Sequence, residues 1–200
     1  MSALISEKQA HFSQTFVDAD LSFEEMEFVE FEDCTFRACN FSEATFKLCK
    51  FIDCLFLKSN LSVVDFNQSK LSNVTFDQCK LIGIDWTRIS WSAIVRGAPI
   101  TFTDSILNDG SFFGLALEEL VAESCQAHTV DFREGDFNHA NFSKTDFMDS
   151  LFNETNLSYA DFTDASNYQI DVYYNKVNGA RFCRIEALSL LESLEIELVD

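Results

Sequence analysis

A five-residue period of large apolar side chains restricts the possible folds of this sequence more than any other feature. In the stretch CTFRACNFSEATFKLCKFIDCLF, residues 34–56, a phenylalanine stands at every fifth position, and a small residue stands two positions before each one. An α-helix repeats every 3.6 residues and a β-strand every two, so neither element alone gives this period. The sequence therefore requires short extended segments that turn at regular intervals.

The period continues through nearly the whole chain. Sixteen large apolar residues follow one another at five-residue steps from Phe16 to Trp91. The series resumes at Phe102 after a change of register, and Val172 and Phe182 extend it. Self-similarity at a fixed period is typical of solenoid proteins, in which each repeat packs only against its neighbours.

Strand geometry explains the pattern within each repeat. Alternate residues of an extended segment point to the same side, so the large residue and the small one two before it both point inward. Their neighbours, such as Asn40 and Ser42, are mostly polar and point outward. If four repeats make one coil, residue n lies beneath residue n+20. One internal stack then contains Phe16, Phe36, Phe56 and Phe76.

The repeats ANFSK, ADFTD and CNFSE resemble the pentapeptide-repeat family. This resemblance implies an all-β solenoid, a right-handed quadrilateral β-helix, over residues 14–183, after a lead-in of residues 1–13. About eight coils at a strand spacing of about 4.8 Å would give a rod about 40 Å long. Residues 184–200 are expected to form a short C-terminal helical cap and an extended tail.

The C-terminal segment departs from the five-residue rule. Residues 184–194 are good helix formers with their apolar side chains on one side, and an open solenoid end must be covered. The end of the chain also resembles the branch of the family that protects DNA topoisomerases, namely the Qnr quinolone-resistance, MfpA and albicidin-resistance proteins. That branch has an interrupted repeat and a dimerising C-terminal cap. The resemblance therefore implies a homodimer interface formed by Ile185, Leu188, Leu190, Leu191, Leu194, Ile196 and Leu198.

The formal net charge of −19 is distributed unevenly along the chain. Residues 1–33 have a net charge of −8, residues 34–97 of +3, and residues 98–174 of −12. Nucleic acids and anionic membranes are polyanions, so the charge argues against both as direct partners and favours a basic protein. A solvated acidic surface that only maintains solubility is the alternative interpretation.

The acidic block of residues 98–174 occupies just under four coils, or about 18 Å of axis at the strand spacing. Its net charge corresponds to one per roughly 1.5 Å, and duplex DNA carries one per about 1.7 Å. This similarity favours a DNA mimic, although the charge is spread over all four sides. The acidic residues predicted to bind the partner are Glu118, Glu119, Glu123, Asp131, Glu134, Asp136, Asp146, Asp149, Asp161 and Asp164.

The register of the period changes within SAIVRGAPIT, residues 92–101. The spacing across this stretch exceeds a multiple of five by one residue. Gly97 and Pro99, the only proline, both interrupt regular structure. A kink between two coil segments is the favoured interpretation. A partner contact built around Arg96 is the alternative, because loops that break the coil help to engage the topoisomerase in the resembling proteins.

The cysteines and histidines do not indicate catalysis or metal binding. Six of the seven cysteines occupy the small inward position, no CxxC pair occurs, and Cys183 lies outside the pattern. No nucleophile motif or phosphate-binding loop accompanies the three histidines. These features predict a protein that is not an enzyme and needs no cofactor. The absence of a signal sequence and of an apolar run of 18 residues predicts a cytoplasmic location without a membrane span.

The sequence therefore predicts an acidic DNA mimic that binds DNA gyrase, or a related type II topoisomerase, and protects it from a poison such as a quinolone or albicidin. The biological role would be antibiotic resistance or self-immunity. The alternative is an interaction module or scaffold of the same shape that binds another basic protein.

Overall fold

Short parallel strands separated by tight corners build the protein, and a computed structural model describes residues 10–91, 98–194 and 196. A 3-10 helix at Trp86–Arg88 and another at Glu186–Leu194 are the described helices. The described strands are β1 (Ala10–Phe12), β2 (Thr15–Val17), β3 (Glu25–Glu27), β4 (Glu30–Glu32), β5 (Thr35–Arg37), β6 (Thr45–Lys47), β7 (Lys50–Ile52), β8 (Leu55–Leu57), β9 (Lys70–Ser72), β10 (Val74–Asp77), β11 (Ile100–Thr103), β12 (Val121–Glu123), β13 (Asp161–Phe162) and β14 (Arg181–Phe182).

The strands stack into a four-sided coil because each repeat pairs with the repeat twenty residues later. Face A contains the sheet β1-β4-β7-β9, and face B contains β2-β5-β8-β10-β11-β12 and, further along the coil, β13-β14. Face C is joined by single bridges such as Asn40 to Asn60, and face D begins with β3-β6. The result is the predicted quadrilateral β-helix, a parallel solenoid of about eight turns.

Stacked aromatic rings fill the centre of the coil. The predicted stack is confirmed: ring centroids of Phe36 and Phe56 lie 4.6 Å apart with planes 16° from parallel, and Phe16 and Phe76 continue it on either side. Neighbouring faces meet edge to face, as in Phe36 and Phe41 at 81°. Both arrangements are favourable for aromatic rings. Ring stacking therefore binds successive coils, and edge-to-face contacts bind the four faces.

Each corner uses a residue in the left-handed conformation, two positions after the inward large residue. Asp33 has φ 52° and Tyr159 has φ 60°, and most repeats show the same feature. This conformation is uncommon outside glycine, although Asn and Asp tolerate it. The corner directs its side chain away from the core, so the corner residues form exposed columns along the rod.

The interrupted coil is longer than a one-residue slip suggests. Phe76 pairs in register with Phe102, so this coil spans 26 residues, six more than the regular twenty. One additional repeat plus one residue gives the same apparent slip, which is why the period alone could not distinguish them. Of the residues predicted to form the break, Pro99 is a buried bend, and Arg96 and Gly97 lie outside the described residues.

Both ends of the coil differ from a regular repeat. Strand β1 pairs with β4 ahead of residue 14, the predicted start, and His11 takes the inward position at 2% exposure. Near the other end Ile170 bridges to Phe152 and is buried, whereas Val172 is half-buried, so the expected continuation at Val172 is wrong. Beyond β14 the predicted C-terminal helix is present as the 3-10 helix at Glu186–Leu194.

Candidate partner-binding surface

The outward residues of each repeat determine what the rod presents to a partner. They stand immediately before, immediately after and two positions after the inward large residue. Because the twenty-residue register is maintained, equivalent residues form parallel columns along each face. Whether the ten predicted acidic residues form one surface therefore depends on which face each one occupies.

The structure distributes these acidic residues over all four faces. Glu118, Glu119 and Asp136 lie on face A, and Asp131 and Glu134 lie on face D. The remaining five are on the other two faces, with Glu123, Asp161 and Asp164 on face B and Asp146 and Asp149 on face C. The block of negative charge in the sequence is therefore divided in space, and no single face carries its full density.

Four of the ten carboxylates form ion pairs within the chain. Glu123 accepts a hydrogen bond from Lys144 at 2.9 Å, and Asp161 accepts one from Arg181 at 2.9 Å. Asp131 is held by two nitrogens of Arg133, at 2.9 and 2.8 Å. The fourth, Asp146, pairs with a histidine. These ion pairs partly compensate the charge of the four carboxylates, so less of it is available to a partner. Three of the pairs are surface interactions, which contribute little to stability.

The hydrogen bonds around two of these carboxylates lower their pKa. The hydrogen bond from the Arg133 guanidinium lowers the pKa of Asp131 below its ordinary value. For Asp146, partial burial acts to raise the pKa, but hydrogen bonds from Asn167 and His128 outweigh it and lower the pKa. His128 Nε2 lies 2.8 Å from Asp146 Oδ2. Both carboxylates are consequently structural members of the coil surface.

A smaller acidic surface remains on face A, on its corner with face D and, through Glu119, on its corner with face B. Its five members share the absence of an ion pair with any described residue, and all except Asp136 are exposed. Asp136 is half-buried and accepts hydrogen bonds from the Asn138 N–H and the Asn156 side chain. We call this surface the A–D acidic edge. It comprises Glu118, Glu119, Glu134, Asp136 and Glu154, of which Glu154 was not among the predicted residues.

The C-terminal helix presents apolar side chains on its outer side. Ile185, in the turn just before the helix, is 80% exposed and Leu188 within the helix is 51% exposed, whereas Leu190 packs against the core. Of the other predicted interface residues, Leu191 and Leu194 are half-buried, Ile196 is exposed, and Leu198 lies outside the described residues. The helix therefore has an inner side that covers the coil and an outer side available for a second contact.

The six inward cysteines are all buried, as the period predicts, and Cys183 is half-buried. Burial raises the pKa of Cys54, Cys79 and Cys125 to about 12, so these thiols stay protonated. Among the described residues no group of three or more His, Cys, Asp or Glu side chains could hold a metal ion. None of the described helices has the length and apolar character needed to cross a membrane.

Comparison with known families agrees with the repeat pattern. A family model described as a pentapeptide repeat region matches residues 29–95, and one described as eight copies of pentapeptide repeats matches residues 131–166. The chain belongs to the pentapeptide-repeat family. Together the two matches cover about half of this pentapeptide-repeat protein; the first ends within the 26-residue coil and the second begins beyond it. No curated protein matches the sequence.

Solved structures of QnrB1, described as a plasmid-mediated fluoroquinolone resistance protein, are similar to this pentapeptide-repeat protein. One trypsin-treated variant is 22% identical with a TM-score of 0.62, and the match covers 96% of this chain and 92% of QnrB1. Another is 19% identical with a TM-score of 0.62, covering 95% and 100% of the two chains. Because these identities are low, the similarity demonstrates a shared fold along nearly the full length of both proteins.

Proposed function

We propose that this pentapeptide-repeat protein binds DNA gyrase, or a related type II topoisomerase, and protects it from a poison such as a quinolone or albicidin. The A–D acidic edge is the observation that carries the proposal. Its five carboxylates lie on face A and its corners over three successive coils and have no ion pair with the described residues. They supply the negative surface that a basic DNA-binding groove attracts.

The mechanism we propose is competition by binding and requires no chemical step. The acidic rod would occupy the basic surface that grips the DNA segment to be cut, and so would disfavour the drug-stabilised cleaved complex. The exposed outer side of the C-terminal helix supports a homodimer, because a self-complementary apolar patch suits two-fold symmetry. Two rods joined there would present two acidic edges to one symmetric enzyme.

The test is DNA supercoiling by purified gyrase under an inhibiting dose of a fluoroquinolone, with increasing amounts of this protein. We expect supercoiling to be restored at near-stoichiometric amounts and the effect to weaken at higher salt, because screening reduces electrostatic attraction. The variant E118Q/E119Q/E134Q removes three charges from the A–D acidic edge and is expected to lose most of the rescue.

A matched control removes the same number of charges elsewhere. The variant D104N/D109N/D149N changes exposed corners of faces B and C, where Asn tolerates the left-handed backbone well. We expect this control to retain the rescue. Equal loss in both variants would mean that net charge matters and the A–D acidic edge does not. If the protein has no effect on gyrase under any condition, another basic protein becomes the expected partner.

A further inference from the structure

The regular stacking of face A is interrupted beside strand β9. Among the described strands, the sheet β1-β4-β7-β9 ends at β9, Lys70–Ser72. Ser90 returns to this face through its N–H bond to the Ser69 carbonyl at 2.8 Å. Among the described residues, the bridges of face A resume only at Ala116 and Asp136. In the part of the chain that the structure describes, regular pairing on face A is therefore interrupted between Ser90 and Ala116.

A cavity of about 260 Å³ lies on face A beside β9. Its polar lining comes from Lys50, Lys70, Ser72 and Ser90. Its apolar lining comes from Ile52, Leu71 and Trp91. This volume is just below the usual range for small-molecule pockets, about 300–1,000 Å³, so a ligand with a single ring matches it best.

The two lysines create a local excess of positive charge in a strongly acidic protein. Lys50 and Lys70 are register partners on β7 and β9, and like charges directly opposite one another are destabilising. Lys50 forms an ion pair with Glu30, with Lys50 Nζ 3.1 Å from Glu30 Oε2. No carboxylate of the described residues lies within ion-pair distance of Lys70. An anion bound beside Lys70 would relieve the repulsion.

Trp91 provides a fixed aromatic surface next to this charge. Its indole N–H donates to the Trp86 carbonyl at 3.0 Å, which defines the orientation of the ring. Trp91 packs against the core and remains half-buried. With Leu71 and Ile52 it forms the apolar part of the cavity, within reach of a ligand whose charged end meets Lys70.

We propose that this cavity binds a small planar aromatic carboxylate. The carboxylate would accept charge-assisted hydrogen bonds from the Lys70 ammonium and from the hydroxyls of Ser72 and Ser90. The ring would lie against Trp91. This site is on face A but separate from the A–D acidic edge, and it does not depend on the proposed function.

Two-dimensional NMR of the isotope-labelled protein tests the site directly, because the chain has only two tryptophans. Titration with benzoate is expected to shift the Trp91 indole signal in a saturable manner and to affect the buried Trp86 signal less. Benzamide, which has the ring without the charge, and acetate, which has the charge without the ring, are expected to bind much more weakly. A peptide with a glutamate side chain distinguishes a free ligand from a partner's carboxylate, and stronger binding of that peptide than of benzoate would overturn the proposal.

Variants locate the effect at Lys70. K70Q is expected to weaken benzoate binding about tenfold, the loss that corresponds to one charge-assisted hydrogen bond. K70R retains the charge and is expected to restore binding, which separates ligand recognition from any change in folding. K80Q removes the same charge from face C and is the matched control. Equal weakening in K70Q and K80Q, or equal shifts with benzoate and benzamide, would refute the site.

Discussion

Replacing Ser69 by alanine tests how the coil satisfies its buried polar groups. Ser69 is fully buried in the small inward position. Its hydroxyl accepts from the Cys49 N–H at 2.9 Å and donates to the Phe46 carbonyl at 2.8 Å. The inward residue thus links its own coil to the preceding one by two hydrogen bonds that a strand ladder does not supply.

The expected cost follows from these two contacts. Alanine leaves the Cys49 N–H without its partner in a place that water does not reach, and an unsatisfied buried group costs about 1–3 kcal/mol. The change removes only one oxygen atom, so we expect little additional cost from the cavity. A loss of about 2 kcal/mol in the free energy of unfolding corresponds to a decrease in Tm of about 4–8 °C for a chain of this size.

The measurement is thermal and urea unfolding of S69A beside S69C. Cysteine already serves at the equivalent position of another coil, where Cys79 Sγ accepts from the Ser59 N–H at 3.5 Å and donates to the Phe56 carbonyl at 3.3 Å. S69C is therefore expected to lose less stability than S69A. If S69A unfolds like the unchanged protein, or if S69C is the less stable of the two, the hydroxyl does not link the coils as described.

Three further predictions concern titration and assembly. Because the folded thiols of Cys54, Cys79 and Cys125 have pKa values near 12 and unfolded thiols ionise near pH 9, stability is expected to fall from about pH 9 to 12; circular dichroism should show a smaller fall when the three are alanine. R133Q is expected to raise the pKa of Asp131 toward its ordinary value, which NMR of the carboxyl group would measure. In the unchanged protein the stabilisation from this pair is present above the unfolded pKa of Asp131 and is lost as the pH falls through the lowered folded pKa. L188D is expected to convert a dimer into a monomer in sedimentation analysis with little change in coil stability, and an unchanged mass would contradict the proposed interface.

The five-residue period predicted a regular coil of short extended segments, and the resemblance to the pentapeptide-repeat family supplied its four sides. A large residue at every fifth position gives one large inward side chain per side, and with the four sides that the resemblance implies the register becomes n+20. The alignment of Phe36 above Phe16 and below Phe56 is a direct consequence. Burial of six cysteines follows from the same rule, since each stands two residues before the central inward residue of its repeat.

The ends and the interruption could not be predicted because periodicity carries no information there. A six-residue excess and a one-residue slip leave the same phase, and pairing of Phe76 with Phe102 distinguishes them only in three dimensions. His11 lies five residues before Phe16, so the period places it at an inward position. It was not predicted there because histidine is not one of the large apolar residues that define the period. Its ring stacks on Phe31 at 5.1 Å in the inward position. Lys50 and Lys70 likewise become neighbours only through the register.

The distribution of charge over faces changes what the acidic block can resemble. Along the sequence the block matches the charge density of duplex DNA, but a partner meets one side of the rod at a time. The A–D acidic edge places five carboxylates on three successive coils, about 14 Å of axis at the strand spacing, or one per roughly 3 Å. A single DNA strand carries one charge per about 3.4 Å. The linear charge density of this edge is therefore that of one phosphate backbone and about half that of the duplex.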